Sequence, residues 1–402
     1  MGKTDISSVP VEIAPGIFWV GVLDRKRTLF DSFMKLRYGT TYNAYLIVGR
    51  EKVALVDTVS VGFGDLLLKK ISEIVKPEAI DYVVMNHAEP DHGGVIPGVL
   101  SLAGGATLLA SKKGLSAAKL YYDVPENRME AVGEETRIDL GGKTLRFIDA
   151  PWLHWPETMF TYCEEDKAVF TCDFLGAHVA ADSIYEDEIG EIVLSEAKRY
   201  YGEIMMVFIK PVMKALDKLK ELDIKIVAPS HGPVYRNPQP ILDAHEEWTR
   251  GPLKAKAVVI YVSMYGSTAT LAQTVIDALK EEGIEVAAFN MVEADASNIV
   301  SDLVDCSAIV FGSPAFYGGM HPKLATPVEV IRSIRPRGKM LATFGSYGWG
   351  AGAAKEIKTR LVPTGFDVIE TLEIQGPPKV DVLERARAFG KTIANKISDS
   401  LV

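Results

Sequence analysis

The run Asn86-His87-Ala88-Glu89-Pro90-Asp91-His92-Gly93-Gly94 sets two imidazoles and two carboxylates within six residues, directly behind the apolar, strand-like stretch Ile80-Asp81-Tyr82-Val83-Val84-Met85. Side chains gathered on a turn at the carboxyl end of a strand share one space, and a His/Glu/Asp/His set this dense can hold two metal ions. An ordinary polar turn rarely collects four such groups. The feature asks for a sheet whose strand ends converge on a pocket, with more ligands arriving from other strands.

The pattern His-x-Glu-x-Asp-His is one residue away from the His-x-His-x-Asp-His of metallo-β-lactamase-like hydrolases. A carboxylate at Glu89 makes the pocket harder and more anionic, which suits iron better than a nitrogen-rich zinc pair. The other candidates also lie at strand ends or in loops. His154 sits in Trp152-Leu153-His154-Trp155-Pro156-Glu157, Asp173 ends the strand Ala168-Val169-Phe170-Thr171-Cys172, and His231 follows Lys225-Ile226-Val227-Ala228. With His92 these make seven ligand-type residues, about what two ions with open positions require. Asp173 is the expected bridge, because one carboxylate can touch two cations held about 3.5–4 Å apart. Of the other histidines, His178 reads as a hydrogen-bond partner of a ligand, His245 as a surface residue of a helix, and His321 as part of a loop.

At 402 residues, 48% hydrophobic and 24% charged, the chain is long enough for two domains with sizeable cores. The net charge of −9 argues against nucleic acid or an anionic membrane as partner. The first residues lack a basic start followed by an apolar run, and no apolar stretch nears 18 residues, so a cytoplasmic location is expected. Cys163, Cys172 and Cys306 form no Cys-x-x-Cys pair and no disulfide framework, so no rubredoxin-like module is expected here. Residues 1–250 show paired short strands, Thr41 to Val48 with Val53 to Asp57 and later Lys143 to Ile148 and Ala168 to Cys172, with a long helical stretch from Glu196 to Leu222. Gly251-Pro252 punctuates the boundary. From residue 254 strands at Val258–Val262, Glu285–Phe289, Ala308–Phe311 and Met340–Phe344 and a helix from Ala269 to Glu282 imply a doubly wound parallel sheet.

That second part has its own site. Ser263-Met264-Tyr265-Gly266-Ser267-Thr268 joins the first strand to a helix, and hydroxyls with N–H groups at a helix start favour a phosphate. Two more loops follow strands: Ser313-Pro314-Ala315-Phe316-Tyr317-Gly318 and Ser346-Tyr347-Gly348-Trp349-Gly350. In a doubly wound sheet such loops border the ligand crevice, and their aromatics can stack on an isoalloxazine ring. Without Gly-x-Gly-x-x-Gly or a full Gly-x-x-x-x-Gly-Lys-Ser/Thr loop, the reading is flavin mononucleotide rather than a dinucleotide or a nucleoside triphosphate.

On His87-x-Glu89-x-Asp91-His92, His154-Trp155-Pro156, Thr171-Cys172-Asp173, Ser230-His231-Gly232 and the two flavin loops, the chain resembles the flavodiiron proteins, or A-type flavoproteins, over essentially its full length. The resemblance implies a metallo-β-lactamase-like αββα sandwich followed by a flavodoxin-like doubly wound parallel sheet. It implies FMN and two non-haem iron ions, with His87, Glu89 and His154 on one iron, Asp91 and His231 on the other, Asp173 between them, and His92 open. It further implies reduction of dioxygen to water or of nitric oxide to nitrous oxide, rubredoxin or reduced coenzyme F420 as electron donor, and a head-to-tail homodimer or a dimer of dimers. Two departures stand out. Leu29-Phe30-Asp31-Ser32-Phe33 replaces a run that in many members ends in Tyr near the iron, and Ser313-Pro314-Ala315-Phe316-Tyr317 replaces Ser-Pro-Thr-x-Asn. Tyr200, Tyr201 and Trp155 are the remaining pocket-lining candidates. Arg332, Arg335, Arg337 and Lys339 form a basic run, read as a solvated face or as a dock for an acidic rubredoxin or an anionic deazaflavin.

Overall fold

The structure, a computed structural model, describes residues 6–401. The chain divides into two compact units, one running through Tyr201 and resuming at Phe208–Thr249, the other comprising Gly202–Val207 and the chain from Arg250 onward. The sequence reading had placed residues 202–207 wholly in the first.

The first unit has two sheets. One has seven strands in the order Val11–Ala14, Ile17–Trp19, Tyr45–Val48, Val53–Val56, Tyr82–Met85, Thr107–Ala110 and Met129–Ala131. The other has five, Arg137–Asp139, Thr144–Asp149, Met159–Cys163, Ala168–Cys172 and Ile226–Pro229. Strand alternation sends Tyr45, Ile47, Val56, Val84 and Leu109 from the first sheet and Leu145, Phe147, Met159 and Phe170 from the second into one shared core. The opposite faces are also buried, at Leu46, Leu55 and Val83, with helices such as Gly64–Ser72 contributing Leu67 and Ile71. This is the αββα sandwich. Gly49 makes the turn after Tyr45–Val48 possible, since a Cβ there would lie 1.9 Å from the Leu140 carbonyl oxygen.

Two elements differ from expectation. The strand read over Thr41 to Val48 breaks at Asn43-Ala44, because Asn43 is diverted to hold the loop carrying His231: its Nδ2 donates to the Pro229 and Gly232 carbonyls at 2.8 and 2.9 Å, and its Oδ1 accepts from Trp19 Nε1 at 2.8 Å. The helix read from Glu196 to Leu222 becomes Ile192–Tyr200, a wide turn over Tyr201–Met205, a short turn over Met206–Phe208 and Ile209–Lys220. The apolar spacing runs through the break, but the backbone does not. At Gly202 a Cβ would stand 2.7 Å from the Val300 carbonyl oxygen, so the chain can approach closely there.

The second unit is one parallel sheet in the order Glu285–Asn290, Lys254–Tyr261, Cys306–Pro314, Met340–Tyr347, Asp367–Gln375. The last of these strands lay outside the sequence reading. Helices Ser267–Glu281 and Val380–Ser400 cover one face, where Leu271, Val275 and Leu279 meet Ala386, Phe389 and Ile393. Helices Ala325–Ile334 and Ala353–Leu361 bury Val328, Ile331 and Ile357. This is the flavodoxin-like doubly wound arrangement.

Candidate functional site

Four strand ends from both sheets of the first unit converge. His87, Glu89, Asp91 and His92 follow Tyr82–Met85, with Pro90–Gly93 coiled into one helical turn. His154 lies beyond Thr144–Asp149, Asp173 directly after Ala168–Cys172, and His231 after Ile226–Pro229. Glu89 Oε2 stands 3.1 Å from His87 Nε2 and 3.0 Å from His154 Nε2. Asp173 Oδ2 faces the same two imidazoles at 3.4 and 3.5 Å. Its other oxygen, Oδ1, faces His92 Nε2 at 3.1 Å and His231 Nε2 at 3.5 Å. Asp91 completes that second group, with Oδ2 3.3 Å from His231 and Oδ1 3.4 Å from His92. Ligand-type atoms thus form the clusters His87/Glu89/His154/Asp173 and Asp91/His92/His231, with Asp173 presenting one oxygen to each, and the buried Cys172 thiol stands with His92 and Asp173 in a third group.

The atoms fit metal ions rather than one another. Both oxygens of Asp91, both ring nitrogens of His92 and Asp173 Oδ2 are buried without a hydrogen-bond partner. His92 Nε2 is close to Asp173 Oδ1, but proximity without alignment is not a hydrogen bond. A buried polar atom left unpaired costs about 1–3 kcal/mol, and a shared cation satisfies several at once. Four imidazoles and three carboxylates are a donor set suited to iron.

The electrostatics agree. Burial opposes a charge on His87, yet its hydrogen bonds to Glu157 and Glu89 and the nearby Asp173 prevail and push the imidazole up to about 10. For His92 burial is likewise outweighed, by Asp91 and Asp173, giving about 9. Burial would raise Glu89, but His154 and His87 draw it down to about 2. Asp173 is held well below the usual carboxylate range by His92, His87 and His231 despite its burial. Asp31 is raised by desolvation of its carboxyl and then by the negative charge of Glu89.

A second layer fixes the ligands. Glu157 Oε1 accepts from His87 Nδ1 at 2.8 Å and from the Ala88 N–H at 3.0 Å. His231 Nδ1 donates to the Thr41 carbonyl at 2.6 Å, which turns its Nε2 lone pair to the site. The Tyr200 hydroxyl donates to Asp173 Oδ1 at 2.9 Å. Beside His87, Asn86 ties the sheets together, donating to the Phe170 carbonyl and accepting from Thr161 Oγ1 at 2.8 Å.

In the second unit a cavity of about 310 Å³ opens at the carboxyl ends of the strands. Ser263, Met264, Tyr265, Ser267 and Thr268 line it, together with Pro314, Ala315, Ser346, Tyr347, Gly348, Trp349, Gly376 and Pro377. Gly266 begins the helix Ser267–Glu281 in the left-handed conformation, its N–H on Ser263 Oγ at 3.1 Å. Thr268 and Ser346 hydroxyls meet at 2.9 Å across the crevice. Trp349 is 82% exposed, so its indole is free to cover a planar ligand.

Residues 40–232 match the family model described as ODP family beta lactamase, and residues 259–390 match that of flavodoxin. A nitric oxide reductase of Moorella thermoacetica is 35% identical over 98% of this chain and 100% of its own length. A coenzyme F420H(2) oxidase of Methanocaldococcus jannaschii is 33% identical, covering 96% and 97%. Among solved structures, the rubredoxin oxygen:oxidoreductase of the anaerobe Desulfovibrio gigas superposes with a TM-score of 0.94 at 27% identity, over 98% of this chain and 100% of that one. The flavodiiron protein of Giardia intestinalis gives 0.94 at 28%, over 98% and 97%. The chain belongs to the flavodiiron protein family. It is an oxidoreductase with a metallo-β-lactamase-like domain and a flavodoxin-like domain. The flavodoxin domain implies FMN, the family carries a diiron site, and the His/Asp/Glu cluster of this flavodiiron chain is able to bind metal.

The structure brings all seven ligand-type residues of the sequence reading together, His92 included. Of the flavin-loop residues, Gly266, Ser313, Phe316, Tyr317, Gly318 and Gly350 do not line the cavity. Phe316 and Gly319 exchange backbone hydrogen bonds at 2.9 and 3.0 Å around Tyr317 and Gly318, both at positive φ, which makes those two residues the tip of a tight turn. Gly376 and Pro377 were missed because they follow the unread fifth strand. Glu157, Thr40 and Thr41 were also missed, and no local pattern marks them. His178 does not bond a ligand directly. Its Nδ1 meets Thr40 Oγ1 at 2.9 Å, and that hydroxyl lies 3.3 Å from His231 Nδ1. Phe30 packs on both rings, at 4.3 and 5.3 Å, while Phe33 is largely exposed. Trp155 stands edge-on to His87 at 5.1 Å. His245 is not a surface residue: Ile241 and His245, one turn apart, both face inward, and the imidazole packs among Phe174, Tyr201 and Trp248. His321 accepts from the Lys323 N–H and starts the turn at Pro322–Leu324. Lys339 is buried, donating to the Val304 and Cys306 carbonyls, so the basic run is not one continuous face.

Proposed function

We propose that this chain reduces dioxygen to water with four electrons at a non-haem diiron centre held by residues 1–250 and fed by FMN held by residues 254–402. In this reading His87, Glu89 and His154 hold one iron, Asp91, His92 and His231 the other, and Asp173 both. The observation that carries it is Glu89, a carboxylate whose Oε2 stands within 3.1 Å of two imidazoles where a zinc hydrolase would place a third. Two ferrous ions supply one electron each and reduced FMN two, the four that one dioxygen takes up on becoming two waters. The Tyr200 hydroxyl orients Asp173, Thr41 and Glu157 set the tautomers of His231 and His87, and Phe30 shields the imidazoles of His231 and His178 from water.

Reduction of nitric oxide, in which two NO with two electrons and two protons give N2O and water, is the second reading. It is supported by the relative of 35% identity named as a nitric oxide reductase. Reduced rubredoxin or reduced coenzyme F420 is the proposed donor, in keeping with the names of a structural neighbour and a relative. A head-to-tail dimer is the proposed assembly and the cytoplasm the proposed location. No helix among the described residues is long and apolar enough to cross a membrane. The test is anaerobic reduction of the purified protein followed by parallel O2 and NO consumption with each donor. Two zinc ions per chain and no consumption of either gas would return the chain to the hydrolases.

A further inference from the structure

We infer that Glu157 makes the two metal positions unequal, so that the position of His87, Glu89 and His154 keeps its ion more tightly than that of Asp91, His92 and His231. The inference rests on the diiron reading proposed above. The two ligand groups are formally matched, each with two imidazoles, one carboxylate of its own and one oxygen of Asp173. They differ in what stands behind the imidazoles.

Behind His87 is a charge. Glu157 is 5% exposed, its Oε1 receives His87 Nδ1 at 2.8 Å, and the same oxygen is pinned by the Ala88 N–H at 3.0 Å. Its backbone is fixed as well, the carbonyl accepting from Ser111 Oγ at 2.6 Å. A buried carboxylate on the far nitrogen makes an imidazole a stronger donor through the near one. Among the described residues, the neutral Thr41 carbonyl and Thr40 hydroxyl stand behind His231, and His92 Nδ1 has no hydrogen-bond partner. The other buried carboxylate nearby, Asp57, accepts from the Asn86 N–H; its charge acts on His92 more than on His87, but it hydrogen-bonds neither imidazole. The bridging residue is biased the same way, because Tyr200 donates to Asp173 Oδ1, the oxygen facing His92 and His231, and draws electron density from that side. Glu157 is thus a positioning residue that acts through His87.

Outer-shell partners of this kind are worth roughly 10–100-fold in metal affinity, and that is the expected difference. The full-length protein, carrying FMN and two irons per chain, is stripped anaerobically with a ferrous chelator to one iron per chain, and the iron at each position is read by anomalous diffraction. The inference requires the surviving iron to sit with His87, Glu89 and His154. It also requires Glu157→Gln, which keeps the acceptor but not the charge, to abolish that preference with FMN content unchanged. Equal or reversed occupancy in the unaltered protein overturns it, with no variant needed, as does a preference that survives Glu157→Gln. A protein that never takes up two irons overturns the diiron reading and this inference with it.

Discussion

The buried imidazole of His245 ties acid stability to one side chain just behind the metal-ligand cluster. It is 0% exposed, its Nδ1 bonds the Ile241 carbonyl at 3.0 Å, and its Nε2 has no partner. Burial pushes it down to about 3. Unfolded, it titrates near 6.5, so below that pH the unfolded chain binds a proton that the native chain refuses, and stability falls with pH. The contribution is complete above about pH 6.5 and is lost progressively toward pH 3, at about 1.4 kcal/mol per pH unit. Between about pH 7.5 and pH 5 the loss from this one group is about 2 kcal/mol. Burial also holds His178 well below its ordinary value, so the decisive quantity is a double difference. His245→Phe keeps a ring among Phe174, Tyr201 and Trp248 and removes the titration. Urea unfolding of the first domain is followed at both pH values by tryptophan fluorescence, to which Trp248, 4.9 Å from the imidazole, contributes. The parent should lose about 2 kcal/mol more than the variant on acidification. Identical pH dependence in the two proteins would refute the reasoning.

Asp173→Asn should leave FMN absorbance intact and lower O2 or NO turnover by more than the roughly 10–100-fold typical of an outer-shell partner; full turnover would defeat the bridging role. Since His87 and His92 are raised to about 10 and about 9, both carry protons at neutral pH that a metal must displace. Iron loading of stripped protein near pH 7.5 should therefore acidify a weakly buffered solution by about two protons per chain, and its affinity should rise with pH. Lys339→Ala should destabilise the flavodoxin domain by about 1–3 kcal/mol, by orphaning two buried carbonyls, without changing the salt dependence of turnover with either donor. A changed salt dependence would restore Lys339 to a docking face.

What the sequence made legible was chemistry carried by local order. Apolar runs such as Tyr82–Met85 and Ala168–Cys172 announced strands, and ligands at their ends announced a pocket. What it hid depends on distant partners. Glu157 is one acid among many until its oxygen is found on His87, 70 residues away. His245 sits in a polar stretch, and only its one-turn spacing from Ile241 hints that it faces inward. Asn43 lies within an apolar strand pattern, but the loop of His231 claims its side chain. The edge strand Asp367–Gln375 is only half-buried and reads as polar, which concealed the Gly376-Pro377 wall of the flavin cavity.

The ligands are shared between two sheets: four side chains come from one and three from the other. An ion held across that seam works as a rivet, and each tenfold rise of free iron above its dissociation constant adds about 1.4 kcal/mol to the folded state. Stripped of it, the seam loses that contribution and keeps imidazole–carboxylate pairs such as Glu89 with His154 and Asp173 with His92, and the sandwich opens more readily to proteases. Iron supply would then govern how long the protein survives in its cell, as well as how fast it works.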